Sequence, residues 1–156
     1  TEMFKTAGGI DLTHLPYKSA AQAFQDVMGA QTPLAMSALP SVITQIQSGL
    51  LRALAVTSEK RWPTLPDVPS IAESGYPGFS HMTWIGILVP AGTPPAVILK
   101  LNREIAAVLA NPEVRSRIVA IGAEPVGKSA ADFDAMLKAE YEVTGTLAAR
   151  IGLKVD

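Results

Sequence analysis

Two nearly continuous apolar runs constrain most strongly what this chain can fold into. The first covers residues 50–57 and follows Gly49, and the second covers residues 82–89 and is closed by Pro90. A strand that is apolar on both faces is typical of a parallel sheet covered by helices on both sides. Because 48% of the 156 residues are apolar, the chain can supply such cover. The runs therefore predict buried strands in an α/β fold.

Helical periodicity alternates with these runs and with shorter strand candidates at 10–17, 33–37 and 123–126. This alternation predicts an α/β class, with a boundary near residues 79–82. The Pro- and Gly-rich segment 58–79 reads as an irregular connection in which only Ser70–Ser74 can form a helical turn. The helices are predicted from caps and apolar spacing at 19–28, 40–48, 93–110 (with Thr93 as cap and Pro94 at N1), 111–122 and 129–151, after the end of another helix at 3–5.

Composition excludes several classes of protein. A formal net charge of −1 and an aromatic share of 6% argue against nucleic acid as a partner. No apolar run is long enough to span a bilayer. The absence of cysteine excludes disulfides and thiolate chemistry. The first residues show no secretory leader and read like the tail of a helix, so we expect a processed or truncated piece of a longer protein.

Catalytic motifs are also absent. The two histidines, His14 and His81, have no partnered nucleophile, and structural roles are favoured for both. The carboxylates have no spacing that suits a metal or an acid–base pair, and no phosphate-binding glycine loop is present. We therefore predict no catalytic residue, no metal and no cofactor. An enzyme stays open as a further alternative, which an acid–base pair converging on one site of the structure would support.

Two turns remain as candidate sites, each placed between a predicted strand and a helix. The first is Tyr17-Lys18-Ser19-Ala20, and the second contains Ser37 and Ala38. A helix N-terminus can hold an anion through its free backbone N–H groups. It can equally be satisfied by its own cap, here Ser19. The residues by themselves favour capping and leave ligand binding open.

Six segments, in order along nearly the whole chain, resemble the substrate-binding proteins of tripartite tricarboxylate transporters, the Bug receptors. The family patterns are "VPYKG" followed by "GG-Q/H-V", "LRALAVTS", "DVPT-x-AE-x-G", "W-x-G" leading to "PAGTP", and two shorter C-terminal matches. They correspond here to residues 14–19 with 29–31, 51–58, 67–75, 84–94, 111–115 and 122–127.

The resemblance implies a partial periplasmic binding protein type II fold without enzymatic activity. Residues 1–82 would form the second lobe, and residues 83–156 a crossover strand with C-terminal helices that belong to the first lobe. The implied function is periplasmic capture of a small carboxylate for membrane transporter subunits, from a precursor with a signal peptide. The N-terminal lobe of the same protein would be missing from this chain.

The resemblance also implies a ligand site in which backbone N–H groups and water hold a carboxylate. Ser19 stands where the family has glycine, and Ser37-Ala38 stands where an Asp-Asn pair is common, which puts the usual ligand in question. The implied ligand-binding residues are Tyr17, Lys18, Ser19, Ala20, Ser37, Ala38, Thr83 and Trp84.

Two further expectations accompany this interpretation. An effector-sensing domain of a cytosolic regulator is the alternative function, because one fold can serve both uses. Since half a cleft cannot enclose a ligand, we also expect residues 1–156 alone to bind weakly and to self-associate through exposed apolar surface.

Overall fold

The computed structural model describes residues 1–152, so the last four residues of the predicted segment 83–156 lie outside the described part. Helices are the regular elements of this part of the chain. In chain order they are α1 (Glu2–Gly8), α2 (Ala20–Met28), a 3₁₀ turn (Leu39–Ser41), α3 (Ile43–Gln47), α4 (Pro95–Ala110), α5 (Pro112–Ala120) and α6 (Ala130–Arg150).

Polar caps fix the starts of three helices at the residues that the sequence indicates. Ser19 Oγ accepts a hydrogen bond from the Gln22 amide at 3.4 Å. Ser129 Oγ accepts one from the Asp132 amide at 3.1 Å, and Asn111 Oδ1 accepts one from the Glu113 amide at 2.9 Å. Each cap satisfies an N–H that has no acceptor within the helix. The predicted starts of α2, α5 and α6 are therefore confirmed.

Two helix predictions need correction. The helix expected at 40–48 is divided, because Val42 has φ −132° and separates the 3₁₀ turn from α3. Helix α4 starts one residue later than expected, with Pro94 as N-cap and Pro95 in the first turn. Thr93 Oγ1 donates to the Pro90 carbonyl at 2.8 Å instead of capping the helix.

The predicted strands do not pair into a sheet within the described residues. The one bridge there is parallel and joins Val56 to Ser70. In the second apolar run, consecutive side chains are exposed, Ile87 at 70% and Leu88 at 69%. Successive side chains of an extended segment point to opposite faces, so burying this run needs cover on both. The strand predictions at 10–17, 33–37, 82–89 and 123–126 are wrong as regards pairing, because these segments form no ladder among the described residues. The prediction at 50–57 is reduced to the single bridge at Val56.

The chain divides into two compact units. The first contains Thr1–Ile85 with Ile118–Ala123, and the second contains Gly86–Arg117 with the described residues from Glu124 onward. Phe24, Ile43 and Ile71 are the buried hydrophobic core residues of the described part, and all three lie in the first unit. Burial of each such side chain contributes about 1.5–3 kcal/mol.

In the second unit α4 packs against α6. Asn102 Nδ2 of α4 donates to the Lys128 carbonyl at 3.0 Å, just before α6. Gly86 lies directly against the ring of Phe133, so close that a Cβ on residue 86 would be 2.2 Å from Phe133 Cζ. The second apolar run therefore contacts α6 at a position that accommodates only glycine.

The connection 58–79 is irregular, as predicted, and is held by a network around Ser70, which is fully buried. Ser70 Oγ donates to the Glu59 carbonyl at 3.2 Å and accepts from the Glu73 amide at 3.1 Å. The Glu73 carboxylate accepts from the Ser70 amide at 2.9 Å and from Arg61 Nε at 3.2 Å. This reciprocal pairing is a capping box, and it fixes the predicted turn at 70–74.

Stability should therefore depend on pH through Glu73. The backbone hydrogen bond from Ser70 and the neighbouring Arg61 hold the pKa of Glu73 below its ordinary value, against the opposing effect of burial. A carboxylate with a depressed pKa in the folded state adds stability above its unfolded pKa and loses it as pH falls through the folded pKa. We expect Glu73→Gln to lower the urea midpoint at pH 7, with the difference from wild type shrinking below about pH 4.

The matched control is Glu142→Gln on the exposed face of α6. Urea midpoints measured from pH 3 to 7 compare the two variants with wild type. A pH profile for Glu73→Gln that runs parallel to that of wild type would contradict the assignment.

Candidate functional site

The turn at residues 17–20 is a capped helix N-terminus. Ser19 has extended backbone, φ −148° and ψ 152°, and its carbonyl accepts from the Ala23 amide at 3.4 Å. Because Ser19 Oγ accepts a hydrogen bond from the Gln22 amide, the capping interpretation is confirmed. The amides of Ala20 and Ala21 in the first turn have no intrahelical acceptor, which leaves two donors for an anion. Capping and anion binding are thus compatible at this turn.

Tyr17 is fixed by a contact that the sequence did not suggest. Its hydroxyl donates to Asp26 Oδ2 at 2.6 Å, across nine residues. This hydrogen bond, followed by partial burial and the charge of Asp26, raises the pKa of Tyr17 above its ordinary value, while the Thr32 hydroxyl acts in the opposite direction. The Tyr17 hydroxyl therefore stays protonated and donating at neutral pH.

Asp26 is the residue that sequence reasoning missed. Its polar side chain on α2 is unremarkable by periodicity, and no short motif contains both Tyr17 and Asp26. One signal was available, because Asp26 lies in the last turn of α2, where the helix dipole disfavours a negative charge. A carboxylate at such a position needs a compensating donor, and the Tyr17 hydroxyl provides it.

The second predicted turn lies at the start of the 3₁₀ segment. Ser37 is exposed and Ala38 is half-buried. Ala38 is the N-cap residue, and its carbonyl accepts from the Ser41 amide at 3.0 Å. The next residue, Leu39, packs against Gly122 and so helps to hold the turn in place. Its polar contribution is the single exposed Ser37 hydroxyl.

The third predicted group, Thr83 and Trp84, lies in the second apolar run. Both side chains are exposed, Trp84 at 38%. The run is anchored just before it, where the His81 amide donates to the Thr57 carbonyl at 2.9 Å. All three predicted groups belong to the first unit. The described contacts tie the first two groups to their own helical segments.

His14, for which the sequence favours a structural role, lies beside an acidic side chain. His14 Nδ1 lies 3.3 Å from Glu2 Oε1. In the described part of the chain, no group of three His, Asp or Glu residues is placed to hold a metal ion. A surface depression in the second unit lies along α4 and contains none of the predicted residues, being lined by Ala96, Leu99, Lys100, Asn102 and Arg103. No helix among residues 1–152 has both the length and the apolar character needed to cross a bilayer.

Comparison with known proteins gives one consistent family. The family model described as "Tripartite tricarboxylate transporter family receptor" matches residues 1–153. Protein BugT of Bordetella pertussis is 38% identical over 126 residues, which are 81% of this chain and 39% of BugT. The chain thus spans about two fifths of the length of that relative.

Solved structures that resemble this chain point to the same family. Rpa4515 of R. palustris with adipate has a TM-score of 0.87 and 36% identity, covering 97% of this chain and 50% of its own. The periplasmic binding protein BugD has a TM-score of 0.78 and 35% identity, covering 98% of this chain and 52% of its own. These matches confirm a partial α/β binding-protein fold and a periplasmic location, and the matched family is one of receptors and not of enzymes. The chain belongs to the tripartite tricarboxylate transporter receptor family.

Proposed function

We propose that this chain is part of an extracytoplasmic receptor that captures a small organic acid and delivers it to membrane transporter subunits. The observation that carries the proposal is the match to Rpa4515 with adipate over 97% of the chain at a TM-score of 0.87. The helix N-terminus of α2 supports it chemically, because free amides beside a positive dipole end suit a carboxylate.

The ligand site in this proposal is built from the three groups of the first unit. The amides at Ala20 and Ala21, with Lys18 beside them, meet one carboxylate. Ser37 supplies one hydroxyl to the rest of the ligand, and Thr83 and Trp84 line the floor of the cleft. Because Ser19 already caps α2, the backbone amides and not the serine hydroxyl bind the acid. This wall of the site has few polar groups. It therefore suits a ligand that has few polar groups beyond its carboxylates.

The cleft is completed by the half of the fold that the chain does not cover. Rpa4515 extends over about twice the aligned length, and the second apolar run here has exposed side chains on both faces, such as Ile87 and Leu88. The missing lobe would pair with this run and bury it. Without that lobe, exposed apolar side chains favour association with a second copy.

The test compares the 156-residue chain alone with the same chain joined to the half of Rpa4515 that it does not cover. Adipate and malate are titrated by calorimetry, and melting temperatures are followed because a ligand stabilises the folded state by RT ln(1 + [L]/Kd). We expect binding and a raised melting temperature for the joined protein and neither for the chain alone, which should sediment as an oligomer. A monomeric chain that binds adipate by itself would contradict the missing-lobe proposal. A folded joined protein that binds no acid would overturn the receptor proposal.

A further inference from the structure

We propose that Asp26 is a positioning residue for the ligand-binding turn, holding Tyr17 and thereby the backbone of Lys18 and Ser19 at the N-terminus of α2. The inference rests on the proposed function only in that this turn meets the ligand. The hydrogen bond itself, and its effect on the turn, can be measured without any ligand.

The geometry joins the two ends of α2. Tyr17 lies two residues before the cap, and Asp26 lies in the last turn. At a rise of 1.5 Å per residue, Asp26 is roughly 10 Å along the axis from Ser19. The hydroxyl–carboxylate distance of 2.6 Å is typical of a strong, charge-assisted hydrogen bond. The Tyr17 side chain therefore lies along the helix, and its backbone cannot move away from the N-terminus without breaking this bond.

Asp26 is itself held by the loop that follows α2. Its carbonyl accepts from the Gln31 amide at 2.8 Å and from the Thr32 amide at 3.3 Å. Gln31 Nε2 donates to the Gly29 carbonyl at 3.1 Å, which closes the same loop. The carboxylate thus projects from a helix end whose backbone is already fixed. Asp26 therefore holds Tyr17 in position, and not the reverse.

The turn needs such a tether, because its own cap is weak. The hydrogen bond from the Gln22 amide to Ser19 Oγ is long at 3.4 Å, and the side chains of Tyr17, Lys18 and Ser19 are exposed. The hydrogen bond from the Ala23 amide to the Ser19 carbonyl is equally long, and an exposed turn held by long hydrogen bonds loses backbone order easily. Order here matters for binding, since amide donors that are held in place do not have to be ordered when the anion arrives.

The experiment is a double-mutant cycle on the 156-residue chain with Tyr17→Phe, Asp26→Ala and the double variant. Amide hydrogen exchange of residues 18–22 reports on order in the turn. Each single variant should speed exchange there by about three- to ten-fold, as expected for loss of one hydrogen bond. The double variant should be no faster than either single one, because both remove the same bond. Gln25→Ala, a change at an exposed neighbour on α2, is the matched control and should leave exchange unchanged.

A spectroscopic readout separates positioning from a general loss of stability. The difference in absorbance at 295 nm between wild type and Tyr17→Phe gives the titration of Tyr17 alone. The pKa of Tyr17 should fall in Asp26→Ala and stay unchanged in Gln25→Ala. Asp26→Asn retains an acceptor oxygen and should restore most of the exchange protection.

Ligand binding is then measured on the joined protein with adipate, where Asp26→Ala and Tyr17→Phe should weaken affinity equally. Additive exchange effects, or unchanged exchange in both single variants, would overturn the positioning role. The exchange data could show that Tyr17 and Asp26 act together while the wild-type joined protein binds neither adipate nor malate. That result would overturn the proposed ligand class, but the positioning of Tyr17 by Asp26 would stand.

Discussion

Replacing Gly122 by alanine should destabilise the first unit by about 2–4 kcal/mol, the largest effect expected for a single methyl group in this chain. Two costs combine at this residue. Gly122 has φ +80°, a conformation that L side chains adopt only with strain. A Cβ there would also lie 2.7 Å from Leu39 Cγ, so Leu39 and the 3₁₀ turn after Ala38 would have to shift. Urea denaturation gives the loss directly.

Gly49 offers a matched control that separates the two costs. Its φ of +75° imposes the same strain, but nothing lies within 4 Å of its Cβ position. Gly49→Ala should therefore cost only about 1–2 kcal/mol. Truncating Leu39 to alanine first should reduce the cost of Gly122→Ala to that of Gly49→Ala, since the clash is then gone. Equal losses for the two glycine variants in the wild-type background would show that Leu39 does not constrain this position.

Gly86→Ala should destabilise the second unit by about 1–3 kcal/mol. No unusual φ is involved, so the entire cost is steric, from a Cβ placed 2.2 Å from Phe133 Cζ. The ring must move away from the second apolar run, which loses its contact with α6. A change in the Phe133 ring resonances, together with the urea midpoint, measures both consequences.

Gly145 provides the opposite expectation within the same unit. It lies inside α6 with nothing within 4 Å of a Cβ. Gly145→Ala should stabilise the second unit by about 0.5–1 kcal/mol, because alanine is the better helix former.

A smaller side chain at residue 133 tests the steric origin of the Gly86 effect, since Phe133→Leu should relieve part of the cost of Gly86→Ala. If Gly86→Ala proved neutral, the close approach of the run to α6 would be wrong.

Local sequence predicted the helices well because their signals are local. Ser19, Asn111 and Ser129 cap within three residues of themselves, so a short window contains the whole interaction. The split at Val42 and the late start after Pro94 were missed. Those boundaries depend on the backbone angles of one or two residues, which composition and periodicity do not determine.

The strands show the limit of the same reasoning. The run at 82–89 has the composition of a buried strand, yet Ile87 and Leu88 are exposed and no ladder forms within the described residues. A strand is completed by partners distant in sequence, and this chain spans about half of the solved structures that it matches. The pattern was therefore wrong about pairing within the described residues.

What the sequence determined by itself is the set of helices, the irregular connection and, through six resembling segments, the family. Tertiary structure alone decided which atoms support the candidate site. The link from Tyr17 to Asp26 spans nine residues, and the contact of Gly122 with Leu39 joins segments far apart along the chain. Neither follows a helical or strand period, because such contacts depend on how the backbone returns upon itself and not on the order of the residues along it.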